Sequence, residues 1–135
     1  MTDRIAASFA RQSLMTTLQA ELLEVAPGRV VIAAPLLPGF RQQQGAGHAG
    51  VTFALGDTAA GYAALSTMPE GREVLTVEMK INLLAPALGA ALIATGEVLR
   101  AGRRLVIVRA GVVAERDTGT ARVAELLGTM IPVDG

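Results

Sequence analysis

The spacing of hydrophobic residues predicts two helices at different places in the chain. Residues 3–14 distribute their apolar side chains as a short amphipathic helix does. A second run, from about 49 to 67, is almost wholly apolar, and the Pro-Glu-Gly sequence at 69–71 ends it. Its many alanines and glycines would let neighbouring backbone approach closely, as a helix wrapped inside a sheet requires.

The remaining patterns predict β-strands. Alternation with a period of two is clearest in residues 73–84, where Leu75 and Val77 are expected on the apolar face and Thr76 on the polar face. Turns containing glycine or proline separate the strands, and residues 35–47 form a loop. The predicted strands span residues 17–23, 29–34, 73–84, 90–100, 104–115 and 121–131.

This order of elements predicts an α+β fold. One helix, two strands, a long central helix and four further strands suit a helix packed on a curved antiparallel sheet. With 135 residues the chain has the size of one domain, and we expect a single domain over residues 1–135.

Composition narrows the classes of function. Lysine and arginine number 12, as do aspartate and glutamate, so no net charge attracts nucleic acid. The chain has no cysteine and one histidine, His48, which argues against disulfides, a zinc site and a histidine-based triad within one chain. Without a membrane-length apolar run or the layout of a secretory signal, we expect a cytoplasmic protein that binds no membrane.

One carboxylate interrupts the apolar central helix. Asp57 lies inside it, and a half-buried charge costs free energy unless it is paired or used. Just upstream, residues 45–50 are small and flexible, and they can present unpaired backbone N–H groups at the helix start. A carboxylate and free amides are the two requirements of a simple acyl-transfer site.

These two groups are too far apart to act on one carbonyl within one chain. Asp57 follows Ala49 by eight residues, which is about 12 Å along a helix axis. Reacting atoms must approach within about 3–3.5 Å. A symmetric dimer with two such helices side by side would combine Ala49 of one chain with Asp57 of the other. The spacing therefore predicts a shared site.

Each candidate residue also has a structural interpretation. Asp57 could be bonded to a neighbouring hydroxyl or amide, and His48 could simply start or pack the helix. Thr76 would ordinarily be a solvated strand residue. The pair Arg103-Arg104 would be charges on a hairpin tip, and Gln42 would be part of a polar loop.

Several motifs nevertheless occur together between residues 39 and 131. They are His48-Ala49-Gly50, Asp57 nine residues after the histidine, the segment 76–86, Gly89, Gly102-Arg103 and Gly128-Thr129. This combination resembles the hotdog-fold acyl-CoA thioesterases of the phenylacetate-degradation (PaaI-like) type. The resemblance implies a hotdog fold, hydrolysis of an acyl-CoA to free acid and CoA, a homodimer or homotetramer, and no cofactor, because CoA is part of the substrate.

The resemblance also implies roles for individual residues. Asp57 would be the catalytic carboxylate, acting as general base or as nucleophile. The N–H of Ala49, with Gly50 beside it, would hold the thioester oxygen at the helix start. Thr76 matches a Ser/Thr that supports the carboxylate or the attacking water. His48 opens the family's His-Gly-Gly motif, in which Ala49 here replaces the middle glycine.

Further contacts with substrate are expected from the loops. Gln42 stands where the family has an asparagine that touches the thioester, so the amide group is retained on a longer side chain. Arg103 and Arg104, on an exposed turn, are candidates for the phosphates of CoA, and residues 36–40 are expected to line an apolar acyl pocket. The alternatives are a non-catalytic acyl-CoA-binding domain, a hydratase or dehydratase on the same fold, and a structural protein.

Overall fold

The computed structural model describes residues 2–135 as two short N-terminal helices, one long central helix and six strands. The helices are α1 (Thr2–Arg11), α2 (Ser13–Thr17) and α3 (Ala49–Leu65), and a 3-10 turn covers Pro38–Phe40. The strands are β1 (Glu21–Ala26), β2 (Arg29–Pro35), β3 (Arg72–Leu83), β4 (Ala91–Ala101), β5 (Val106–Arg116) and β6 (Gly119–Asp134). No helix in this range is long and apolar enough to cross a membrane.

The six strands form one antiparallel sheet in the order β1-β2-β4-β5-β6-β3. α3 packs against five of these strands, chiefly β4, β5 and β2 in the middle of the sheet. The predicted α+β hotdog arrangement, a long helix wrapped by an antiparallel sheet, is confirmed. β3 forms one edge of the sheet, so its outer backbone groups have no neighbouring strand among residues 2–135.

The backbone of α3 lies directly on β4. Ala59, Ala60 and Ala63 are completely buried, and their small size keeps the helix close to the sheet. A Cβ at Gly96 of β4 would come within 2.3 Å of the Ala59 carbonyl carbon, so only glycine fits there. This contact fixes the position of α3, and therefore of Asp57, over the sheet.

The N-terminal region differs from the prediction of one helix over residues 3–14 and a strand from Thr17. The backbone of Gln12 is extended (φ −80°, ψ 102°), which separates α1 from α2, and α2 continues through Thr17. Met15 and Leu18 are both buried. Met15 and Leu18 are three residues apart, a spacing typical of a helix. The short apolar–polar alternation after Thr17 predicted a strand instead, and that prediction is wrong at Thr17.

A β-bulge in β3 changes which side chains face the helix. The register with β6 shifts between Thr76 and Glu78, and Val77 is the extra residue. Thr76 consequently faces α3, whereas Leu75 and Val77, predicted on the buried face, are 56% and 55% exposed. The predicted unbroken alternation is wrong in this half of the strand, because one inserted residue exchanges the two faces.

Candidate active site

The carboxylate of α3 contacts a hydroxyl from β3. Thr76 Oγ1 donates a hydrogen bond to Asp57 Oδ1 at 2.8 Å and also lies 3.2 Å from Met130 Sδ. A hydroxyl has one hydrogen to donate, and an ionised carboxylate is the stronger acceptor. Asp57 is therefore its principal partner, although Thr76 itself is an exposed residue of the edge strand.

The surroundings of Asp57 favour its neutral form. Burial raises the pKa of the Asp57 carboxyl above its usual value, and the hydrogen bond from Thr76 opposes part of that rise. Within the described part of the chain, Oδ2 of Asp57 receives no hydrogen bond. A partly buried carboxylate with one free oxygen can take a proton from water or attack an electrophilic carbon.

The start of α3 offers one free backbone donor. His48 is the N-cap, and its Nδ1 accepts a hydrogen bond from the Gly50 N–H at 2.8 Å. His48 therefore occupies the Gly50 amide in this conformation, and the neighbouring Ala49 amide is the one left free. The Ala49 N–H has no protein acceptor in residues 2–135. It lies at the positive end of the helix dipole, where developing negative charge is stabilised.

The same contact restricts what His48 can do. An imidazole that accepts through Nδ1 carries its proton on Nε2, and so has no free lone pair to act as a base. Its observed role is to cap the helix and to leave Ala49 as the exposed donor.

Ala49, His48 and Gln42 line one groove, which we call the donor groove, with a volume of about 700 Å³. The opposite wall is the apolar segment 83–88. The Gln42 side-chain oxygen accepts from the Gln44 backbone N–H, so its side-chain NH₂ is the part left for a ligand.

Asp57 and Thr76 line a different cavity, the carboxylate cleft, of about 150 Å³. Its remaining walls come from both helical layers and the sheet: Gln12, Thr58, Gly61, Tyr62, Val74 and Met130. The structure thus groups Asp57 with Thr76 and groups Ala49 with His48 and Gln42. Helical rise separates Asp57 from Ala49 by about 12 Å along α3.

The predicted acyl-pocket loop lies elsewhere. Residues 36–40 line neither the donor groove nor the carboxylate cleft. Leu36 is buried in the core and Phe40 packs against it. Their apolar character serves the core, which a sequence pattern cannot distinguish from a binding surface.

Three arginines form a basic depression, the arginine cleft, of about 530 Å³. Arg103 and Arg104 lie on the turn between β4 and β5 and make no ion pair with any residue in 2–135. Arg72 joins them from the start of β3, where its Nε donates to the Val133 carbonyl at 3.1 Å. No sequence pattern points to Arg72, because only the pairing of β3 with β6 brings it near Arg103 and Arg104.

Among the described residues, no group of three or more His, Cys, Asp or Glu side chains is arranged to hold a metal ion. The charged side chains that do cluster form ion pairs on the sheet. Arg109, for example, donates to Glu97 at 2.6 Å and to Glu125 at 2.7 Å.

Comparison with known proteins matches residues 44–121, more than half of the chain, to the family described as the thioesterase superfamily. The chain belongs to that superfamily. A thioesterase family protein from Silicibacter pomeroyi has a structure that is 39% identical and superposes with a TM-score of 0.97, over 99% of this chain and 98% of its own. The resemblance to PaaI-like hotdog thioesterases is confirmed.

More distant relatives agree with this placement. A variant of the phenylacetic acid degradation protein PaaI from Thermus thermophilus is 26% identical, with a TM-score of 0.78, over 89% of this chain and 98% of that one. A candidate esterase of Saccharolobus solfataricus is 31% identical over 91 residues. The match covers 67% of this chain but only 64% of that relative's length.

Proposed function

We propose that this member of the thioesterase superfamily hydrolyses acyl-CoA thioesters at a site shared by two copies of the chain. The observation that carries the proposal is the division of the site along α3. Asp57 with Thr76 supplies a reactive carboxylate, and Ala49 supplies an unoccupied backbone N–H in a separate groove. Neither cavity contains both groups.

A second copy packed on the open side of α3 would join the two groups. Phe53, Ala54 and Asp57 share one side of the helix, and each is only partly buried. The neighbouring strand β3 is an edge strand that exposes Leu75 and Val77. An apolar edge beside an open helix face is a surface that a symmetric dimer would bury. Two antiparallel copies of α3 would then bring each Asp57 toward the opposite Ala49.

The chemistry follows from these positions. The thioester oxygen would accept a hydrogen bond from the Ala49 N–H, which stabilises negative charge as the carbonyl carbon is attacked. Asp57 of the second copy would take a proton from the attacking water, or would itself attack and then be released by water. In both routes the C–S bond breaks, the CoA sulfur leaves as a thiolate that is protonated, and the free acid remains.

The raised pKa of Asp57 suits the general-base role, because a carboxylate of higher pKa binds a proton more tightly. Gln42 lies in the donor groove, where its free NH₂ could hold the thioester oxygen beside Ala49. The arginine cleft would take phosphates of CoA, since Arg103 and Arg104 have no competing carboxylate among the described residues.

The direct test is a panel of acyl-CoA esters, short, long and aromatic, assayed with the wild-type protein and with Asp57→Asn. The wild type should hydrolyse at least one class of ester, and the variant should lose about 10³-fold or more in kcat. Asp57→Asn is nearly isosteric, so an unchanged melting temperature and native mass would show that the loss is chemical.

Two outcomes of this assay would contradict the proposal. Undiminished hydrolysis by Asp57→Asn would show that Asp57 is not the catalytic carboxylate. If no ester is hydrolysed but several bind, the chain is an acyl-CoA-binding module, and the enzymatic proposal is wrong.

A further inference from the structure

The carboxylate cleft has a polar end that thioester hydrolysis itself does not require. Tyr62 lies five residues beyond Asp57, about 7.5 Å farther along α3 at the helical rise. Its side chain is 3% exposed, and its hydroxyl contacts two groups of the N-terminal segment. Gln12 Nε2 donates to Tyr62 Oη at 2.7 Å, and Ser8 Oγ lies 2.9 Å from the same oxygen.

Gln12 reaches this place because the N-terminal helix is interrupted there. It stands at the N-cap of α2 with an extended backbone, yet its side chain makes no capping hydrogen bond. The side chain instead contacts Tyr62 and lines the cleft beside Asp57. An amide has donors at one end and an acceptor at the other. Whichever end meets the phenol, the other end has no protein partner in residues 2–135.

The middle of the cleft is apolar and is kept open by a glycine. Gly61 follows Asp57 by one helical turn, and a Cβ there would lie 3.9 Å from both Met130 Cε and Val74 Cγ1. An alanine at 61 would therefore fit without strain and fill part of the cleft. The volume of about 150 Å³ equals that of an engineered protein cavity that holds benzene, so the space suits an acyl group of about that size.

The carboxylate cleft has a reactive end at Asp57, an apolar middle and a hydrogen-bonding end at Gln12. The inference that follows rests on the proposed function. We propose that Gln12 determines specificity by binding a polar group at the far end of the acyl chain, so that the substrate class is compact acyl-CoA esters with a hydroxyl or carbonyl at the tip. The amide of Gln12 makes one hydrogen bond to Tyr62 and offers the second to the acyl group.

The test compares two esters of equal heavy-atom number, 6-hydroxyhexanoyl-CoA and heptanoyl-CoA, in steady-state kinetics. For the wild type, kcat/KM should be about tenfold higher for the hydroxylated ester than for heptanoyl-CoA. A ratio of that size is expected from one hydrogen bond in a partly open cleft. In Gln12→Leu this ratio should fall to about one. A wild type that hydrolyses both esters at equal kcat/KM, or a ratio unchanged in Gln12→Leu, would overturn the inference and leave the proposed function standing. Hydrolysis of neither ester, nor of any ester in the panel above, would overturn both.

Two further variants separate recognition from structure. Ser8→Ala removes a contact with the same Tyr62 hydroxyl, but Ser8 does not line the cleft, so the wild-type ratio should persist. If Ser8→Ala and Gln12→Leu lower the ratio equally, Gln12 acts only through the fold. Gly61→Ala should lower kcat/KM for both esters, since its methyl group occupies the space of the acyl chain. If neither value changes, the acyl group does not enter this cleft.

Discussion

The two ends of the stretch of α3 from Ala49 to Asp57 carry opposite chemistry. At the N-terminus, the donor groove has a free N–H on Ala49 and no carboxylate in its walls. Two turns farther on, the carboxylate cleft has Asp57 and no free backbone donor, because the helix satisfies its own amides there. Each region supplies what the other lacks. The difference teaches that this helix separates a carboxylate from an anion site by its own length, so that one chain cannot present both to the same carbonyl.

Among variants that keep Asp57, removal of the Ala49 donor should lower activity the most. Ala49 is the first helical residue, where proline is tolerated, and the extended backbone of His48 (φ −61°, ψ 137°) is compatible with a following proline. Ala49→Pro removes the free N–H, puts the proline ring carbon in its place, and should lower kcat by about 10²–10³-fold.

The control for that variant is Ala49→Gly, which keeps the N–H and should keep most of the activity. Circular dichroism and melting temperature should be close to wild type in both. Full activity of Ala49→Pro would mean that the N-terminal end of α3 takes no part in the chemistry.

A smaller effect is expected at the carboxylate end. The Thr76 hydrogen bond stabilises the ionised form of Asp57, so Thr76→Val should raise the pKa of Asp57 further. The base acts only when ionised, so kcat/KM should rise with pH through a higher midpoint than in the wild type. The loss in kcat/KM should be about tenfold on the acid side of the profile and less on the alkaline side.

The control is Thr76→Ser, which keeps the hydroxyl and should return the midpoint toward its wild-type position. An identical midpoint in Thr76→Val would show that the hydroxyl does not tune Asp57.

The smallest effect should come from the arginine cleft, outside both regions. The double change Arg103→Ala with Arg104→Ala should raise KM for acyl-CoA by about three- to tenfold with little change in kcat, because phosphate contacts bind ground state and transition state alike. Arg100→Ala, an exposed arginine on the same hairpin that does not line the cleft, is the matched control. A KM unchanged in the double variant would place the CoA phosphates elsewhere.

Much of the fold could be predicted from periodicity, and the errors have local causes. The central helix and the long strands have patterns long enough to define their type. The helix break at Gln12 and the bulge at Val77 each involve one residue, and both depend on contacts made by distant parts of the chain. The bulge matters more, because it turns Thr76 from the solvent face toward Asp57.

The candidate site was predictable where its residues are close in sequence. His48, Ala49 and Asp57 lie on one helix, and simple helical geometry already separates the last two. Gln12 and Arg72 reach their cavities through tertiary packing and strand pairing, which no local pattern records. The hydrogen bond from the Gly50 amide to His48 was also hidden, since it depends on the rotamer of the His48 side chain.

The shared site is the central claim, and complementation between two inactive variants tests it most directly. Asp57→Asn and Ala49→Pro, carrying different affinity tags, would be co-expressed and the mixed dimer purified. A shared site predicts one intact site in each mixed dimer, formed by the Ala49 N–H of the first chain and Asp57 of the second. About half of the wild-type activity per dimer should then return. A mixed dimer as inactive as its two parents would contradict the account.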